Sequence, residues 1–94
     1  MKKLQKNKLY LVEWIDTYSY NGWYREDEID EMTRGDTTKT IGFFIKKTDF
    51  FIILAMSLES NKDFAPYGNI KWIPNGCIVN IRKIDNDPYF GDNL

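Results

Sequence analysis

Two apolar runs separated by a short polar break dominate the middle of the chain. Residues 40–57 are rich in Phe and Ile on both sides of Lys47, Thr48 and Asp49, and such residues favour strands. The pattern predicts a β-hairpin, and two alternative registers of strand pairing are compatible with it. A two-residue turn at Thr48 and Asp49 places odd residues 41–45 on one face with even residues 50–56, whereas a three-residue turn pairs them with odd residues 51–55. Both registers leave apolar residues on both faces, so we expect something to cover the outside of the sheet.

Shorter strands are predicted on either side of this hairpin. They span residues 8–16, 69–73 and 77–84, with a tight turn at residues 74–76 before the last strand. We expect the last strand to pack through Val79 and Ile81 on one face and through Ile78 on the other. An open sheet this apolar would leave the backbone hydrogen-bonding groups of its edge strands unpaired and prone to aggregation. Closure into a small barrel of about five antiparallel strands is therefore expected.

The long loop after the first strand is unusually aromatic. Its Asn21-Gly22 pair is compatible with a two-residue hairpin between residues 18–20 and 23–25, or with an ordinary flexible loop. Residues 26–31 follow with five carboxylates and are compatible with a short helix or a short strand. Because these carboxylates repel one another, an ordered helix would need nearby cations such as Arg25 or Arg34.

Length and composition favour one soluble domain. The 94 residues are too few for two cores, so we divide the chain into a frayed basic arm (1–8), a barrel (9–84) and a polar tail (85–94) whose Tyr89-Phe90 pair could dock on the barrel or a neighbour. The 13 basic and 14 acidic residues balance, which disfavours nucleic acid. A single cysteine, no secretion signal and no membrane-length apolar run indicate a cytoplasmic protein.

The residue types needed for common catalysis are missing. Without any histidine, the chain lacks the usual general base and imidazole metal ligand. Cys77 is expected to be a buried small hydrophobe, and residues 26–31 lack the spacing of a calcium loop. The glycines are dispersed and form no phosphate loop. We therefore expect no enzymatic activity, no metal and no cofactor.

Several short motifs occur together in this chain. They are Trp14-x-Asp16, Gly22-Trp23, Ile41-Gly42-Phe43, Leu54-Ala55-Met56-Ser57 and Ile73-Pro74-x-x-Cys77-Ile78-x-x-Ile81. In this combination the chain resembles small, mostly uncharacterised proteins of tailed phages and prophages, over roughly residues 9–84. The resemblance implies an all-β fold, an SH3-like barrel, in which the Ile-Pro turn is a short helical turn leading into the last strand. It also implies location in the cytoplasm of a bacterial host.

The aromatic loop supplies the candidate binding residues. Rings together with a guanidinium can stack a planar ligand and pair with its phosphate, or can anchor a protein partner. The candidates for ligand or partner binding are Tyr18, Tyr20, Trp23, Tyr24, Arg25 and Arg34. Trp14 is expected in the core, and Tyr20, Trp23 and Tyr24 at the surface.

Three classes of function follow from these observations. The first is a non-catalytic binding module that forms homo-oligomers and acts by occupancy. It would dock on a host protein or sequester a small nucleotide-like ligand as a counter-defence protein. The alternative is a barrel that binds single-stranded nucleic acid through the lysines of residues 2–8 with Lys46, Lys47 and Arg82. An enzyme is the third and least supported class.

Overall fold

Five antiparallel strands form one sheet in the computed structural model, which describes residues 3–59 and 66–84. The strands lie in the order β4-β3-β2-β1-β5. Their bounds, with those of a short helix and a 3₁₀ turn, are β1 Leu9–Trp14, α1 Glu26–Met32, β2 Thr38–Lys47, β3 Phe51–Leu58, β4 Tyr67–Pro74, η1 Asn75–Cys77 and β5 Ile78–Lys83. The predicted all-β class is confirmed. The predicted tail (85–94) and residues 60–65, between β3 and β4, lie outside the described residues.

The two edge strands share one core although no strand pairing joins them within the described residues. Side chains from β1 to β4 form the buried cluster, namely Tyr10, Val12, Trp14, Phe44, Ile52, Leu54 and Ile73. Ile78 and Ile81 of β5 pack against that same cluster. A flat sheet would hold its two edges far apart, so contact of β4 and β5 with one cluster requires a strongly curled sheet.

A β-bulge decides the register of the central hairpin. Phe43 pairs with Ala55, as the three-residue turn predicts, but Lys47 pairs with Ile52, which neither predicted register gives. The register shifts between Phe44 and Lys46, because β2 contains one more residue than β3 at that point. The turn itself closes through the Thr48 amide, which donates to the Phe51 carbonyl at 2.8 Å.

A second irregularity lies in β5 and corrects the predicted packing of that strand. Trp14 pairs with Ile78 whereas Glu13 pairs with Asn80, so Val79 is the extra residue. The bulge turns Ile78 and Ile81 toward the same core. Val79 is 57% exposed, so the expectation that it packs beside Ile81 is wrong. Simple alternation along the strand cannot reveal a bulge, which is why the prediction failed.

The N-terminal arm is not frayed over residues 3–8. Leu4 packs against the core cluster, and the Gln5 amide donates to the Tyr10 hydroxyl at 2.8 Å. Asn7 adopts a positive φ of 64°, and its amide donates to the Phe44 carbonyl at 2.8 Å. Residues 3–8 therefore turn back over the sheet next to β2, which gives Lys3, Lys6 and Lys8 a defined backbone position.

The 3₁₀ turn fastens the β2–β3 turn to the end of β4. The Asn75 side-chain amide donates to the Thr48 carbonyl at 3.0 Å and to the Asp49 carbonyl at 3.1 Å. Its backbone amide donates to the Phe50 carbonyl at 2.8 Å. These bonds satisfy turn carbonyls that strand pairing leaves free. The predicted tight turn at residues 74–76 is thus a helical turn with a structural role.

Gly42 is required by the close approach of β2 and β3. A Cβ at this buried position would lie 2.7 Å from Met56 Cε, 3.0 Å from Leu54 Cβ and 3.1 Å from the Ala55 carbonyl oxygen. We expect Gly42→Ala to lower the free energy of unfolding by about 1–3 kcal/mol, since the core must shift to admit the methyl group. Urea denaturation followed by tryptophan fluorescence measures this loss.

Gly35→Ala is the matched control for this substitution. A Cβ at Gly35 meets no atom within 4 Å, so its effect should stay within about 0.5 kcal/mol. Equal stability of the two variants would contradict the close approach at Gly42.

Candidate functional site

The aromatic loop, defined here as residues 15–25, is fixed to the segment after α1 by Tyr18. The Arg34 guanidinium carbon lies 3.7 Å from the centroid of the Tyr18 ring. The Arg34 backbone amide also donates to the Tyr18 hydroxyl at 2.7 Å. The Tyr20 ring packs edge-on against Tyr18, with centroids 6.2 Å apart. Tyr18, Tyr20 and Arg34 of the candidate set therefore lie together.

Of the two alternatives for the aromatic loop, the internal hairpin does not form and an irregular loop does. Residues 18–25 contain no strand, and only the turn at Asn21 and Gly22 remains. Gly22 has a φ of +116°, a conformation that glycine adopts without strain. The Tyr24 hydroxyl donates to the Asn21 carbonyl at 2.7 Å and closes the turn. A side-chain hydrogen bond thus closes this turn without strand pairing.

The aromatic side chains divide between core and surface as predicted. Trp14 is buried, and its indole Nε1 donates to Thr40 Oγ1 at 2.9 Å. Trp23 is fully exposed, and Tyr20 and Tyr24 are also exposed. An exposed indole gains none of the free energy that burial of its apolar surface would provide. Such exposure is unusual for a residue that is otherwise highly buried on average.

The carboxylates of residues 26–31 lie in α1, which settles the open choice in favour of a short helix. Arg25 is its N-cap residue. The Arg25 amide donates to Glu28 Oε1 at 3.2 Å, and Arg25 Nε lies 3.1 Å from Asp27 Oδ1. The acidic first turn also interacts favourably with the positive end of the helix dipole. Arg25 therefore serves the helix first, and a phosphate would have to compete with these carboxylates for it.

A small polar cleft lies beside the aromatic loop. It has a volume of about 130 Å³ and contains Tyr18 and Arg34 from the predicted set, and its remaining lining residues are Asp16, Thr17, Asp36 and Thr38. Typical small-molecule sites span about 300–1,000 Å³, and two carboxylates here oppose an anion. Trp23 and Arg25 do not line this cleft. The loop therefore offers an exposed surface and not a built nucleotide pocket.

A larger cleft, which we call the lysine cleft, lies between the N-terminal arm and β2. Its volume is about 590 Å³, and it is lined by Lys3, Leu4, Lys6, Phe44, Ile45, Lys46 and Lys47. Sequence reasoning had grouped lysines of the arm with Lys46 and Lys47, but had not singled them out as a site. Only the pairing of the arm with Phe44 brings them together. Arg82, which was grouped with them, is not among the lining residues.

Other kinds of site find little support in the described parts of the chain. Residues 3–59 and 66–84 contain no group of three or more potential metal-ligating side chains. Cys77 is half-buried and packs against the core cluster, in keeping with its expected role as a small hydrophobe. Among the same residues, no helix has the length and apolar character needed to cross a membrane.

Comparisons with protein-family models, curated proteins and solved structures found no match to this chain. The resemblance to phage proteins therefore stays a prediction. The function of the protein has to be inferred from two surfaces, the aromatic loop and the lysine cleft.

The Tyr18 hydroxyl should protect the Arg34 amide from hydrogen exchange. Tyr18→Phe removes the acceptor but keeps the ring under the guanidinium. Loss of a hydrogen bond worth about 0.5–1.5 kcal/mol should speed exchange at Arg34 about 2- to 10-fold. Amide exchange followed by NMR measures the rate. Tyr24→Phe, whose hydroxyl contacts Asn21 instead, should leave it unchanged, and an unchanged rate in Tyr18→Phe would contradict the assignment.

Proposed function

We propose that this protein is a non-catalytic binding module that acts by occupancy and uses the aromatic loop to dock on another protein. The observation that carries the proposal is the full exposure of Trp23 on a loop that also exposes Tyr20. Tryptophan and tyrosine are enriched among residues that dominate binding energy at protein interfaces. The anchoring of Tyr18 to Arg34 holds part of the loop in place, which lowers the entropy cost of binding.

A protein partner suits the aromatic loop better than a nucleotide-like ligand does. Arg25 is paired with Asp27 and Glu28, and the cleft beside Arg34 is small and carries two carboxylates. A phosphate would meet these carboxylates at close range and be repelled. A protein surface needs no enclosed pocket, because flat interfaces obtain affinity from a few anchoring side chains.

An SH3-like barrel is the finer description of the fold that we propose. The sheet order β4-β3-β2-β1-β5 and the 3₁₀ turn immediately before β5 support it, and so does the core shared by both edge strands. The turn contains the Pro74-to-Cys77 motif on which the resemblance to phage proteins rests. If that origin is right, the partner is a protein of the bacterial host, and the protein works in the host cytoplasm.

Single-stranded nucleic acid is the second candidate ligand. The specific observation in its favour is the convergence of Lys3, Lys6, Lys46 and Lys47 on one cleft. Single-strand binding also draws on aromatic rings on which bases stack. Among the residues that the structure describes, the only ring lining the lysine cleft is Phe44, which is 7% exposed. This weakens the nucleic-acid alternative.

Trp23→Ser tests the docking proposal. The full-length protein is used as bait in a bacterial extract, bound proteins are identified by mass spectrometry, and each is then purified for titration. We expect the affinity for the true partner to fall at least about tenfold, as for an interfacial hot spot. The free energy of unfolding should change by less than about 0.5 kcal/mol, because Trp23 contacts little of its own protein.

Val79→Ser is the control, because it removes another exposed apolar side chain outside the aromatic loop. It should retain the partner. Equal affinity of every identified partner for the wild type and Trp23→Ser would sink the proposal.

Self-association through the outer sheet face is a further part of the proposed function. Cross-strand pairing places the half-buried Phe43 and Ile70 on either side of the buried Ala55, and the half-buried Ile53 beside Trp72 in the next row. Trp72 is 54% exposed. A contiguous apolar surface of this kind is typical of an interface. We therefore expect sedimentation equilibrium to give a mass above that of the monomer, and Trp72→Lys to shift it toward the monomer. A monomeric wild type at high concentration would contradict this expectation.

A further inference from the structure

We propose that the lysine cleft is a separate binding site for a small, multiply charged anion with an apolar or planar body, such as a nucleoside polyphosphate. This site shares no lining residue with the aromatic loop or with its small cleft. The inference therefore does not depend on the docking function proposed above.

The charge of the cleft is the first argument. Of the seven described residues that line it, four are lysines and none is a carboxylate. Across the whole chain, 13 basic residues face 14 acidic ones, so this local excess runs against the overall composition. Lysine ammonium groups are compact point charges that suit phosphate oxygens. A ligand with three or four negative charges complements the four lysines that line the cleft.

The floor of the cleft is the second argument. It consists of Leu4, Phe44 and Ile45, so a ligand must offer an apolar or planar part as well as charge. The volume of about 590 Å³ falls within the range of small-molecule sites. A simple inorganic anion would leave this floor uncovered. Burial of about 55 Å² of apolar ligand surface would add roughly tenfold in affinity at the usual 25 cal/mol per Å².

Backbone hydrogen bonds build the cleft before any ligand arrives. The arm is held against β2 by the Asn7 amide, which donates to the Phe44 carbonyl at 2.8 Å, and by the Phe44 amide, which donates to the Lys8 carbonyl at 2.9 Å. On the other wall, the bulge after Phe44 interrupts strand pairing at Ile45, immediately before Lys46 and Lys47. A preformed floor reduces the ordering cost of binding.

The same geometry favours a small anion over a nucleic-acid strand. The Phe44 ring packs edge-on against Tyr10, with centroids 6.0 Å apart, so the described lining of the cleft offers no row of rings on which successive bases of a strand could stack. Arg82 does not line the cleft. The lysines that line it therefore come from the arm and from one end of β2. A strand of several nucleotides needs charge and stacking rings along an extended groove.

Calorimetry with the full-length protein tests the proposal with four probes: adenosine triphosphate, inorganic tripolyphosphate, adenosine and a ten-nucleotide thymidine strand. We expect adenosine triphosphate to bind about tenfold more tightly than tripolyphosphate, because only the nucleotide covers the apolar floor. Adenosine alone should bind far more weakly than either. Binding should weaken as salt screens the lysines, over a range of about 50 to 300 mM sodium chloride.

Substitutions in the cleft assign the site. In the double variant Lys46→Gln with Lys47→Gln, affinity for adenosine triphosphate should fall about 5- to 20-fold, as expected when two charge-assisted contacts are lost at an exposed site. Lys39→Gln is the matched control, since Lys39 is an exposed lysine on the same strand outside the cleft. It should bind as the wild type does. Fluorescence of the buried Trp14 checks that each variant is folded.

Three results would overturn the proposal. Equal affinity for tripolyphosphate and adenosine triphosphate would show that charge alone attracts anions. Tighter binding of the ten-nucleotide strand than of adenosine triphosphate would assign the surface to nucleic acid. An equal loss of affinity in Lys39→Gln and in the double variant would show that the anion is not localised to the cleft.

Discussion

All five strands of this small domain must reach a single core, and the rest of the structure depends on that constraint. Seven buried side chains from β1 to β4 form the centre, and two isoleucines of β5 complete it. Chains of this size bury a limited share of their apolar surface and cannot support a second cluster. The sheet therefore has to curl. The bulges near Ile45 and Val79 supply twist at two points of the sheet, since each adds one residue to one strand of a pair.

A core this small leaves much of an aromatic-rich sequence outside. The aromatic share is 16%, yet within residues 3–59 and 66–84 the buried cluster has only Tyr10, Trp14 and Phe44 as aromatic members. Trp23 and Trp72 remain exposed at the aromatic loop and on the outer sheet face. Exposed aromatic rings lower the solubility of a protein and do not stabilise its fold. Their apolar surface is buried only where a partner covers it. The same constraint that shapes the sheet thus leaves exposed the rings on which the proposed binding function rests.

Sequence patterns predicted the element types well and the side-chain directions poorly. Alternation of apolar residues found the strands, turn chemistry found the break at residues 47–49, and composition separated Trp14 from Trp23. The wrong expectation for Val79 has one cause: a bulge inverts side-chain direction and leaves no mark in the residue pattern. The fixed arm was missed for a related reason, because its order comes from hydrogen bonds to the backbone of β2. Such bonds depend on proximity in space and not on side-chain type.

The net charge of the whole chain was also misleading, because it averages over regions that the fold separates. Composition gives near neutrality, which argues against anion binding when applied to the whole molecule. In the folded chain, five carboxylates lie on α1, where Arg25 and the helix dipole stabilise the first turn, while four lysines line one cleft. At physiological salt the field of a charge is screened within about 8 Å, so an anion in the cleft responds mainly to the lysines around it. Local charge, set by the register of β2 and the turn of the arm, therefore decides what this surface attracts.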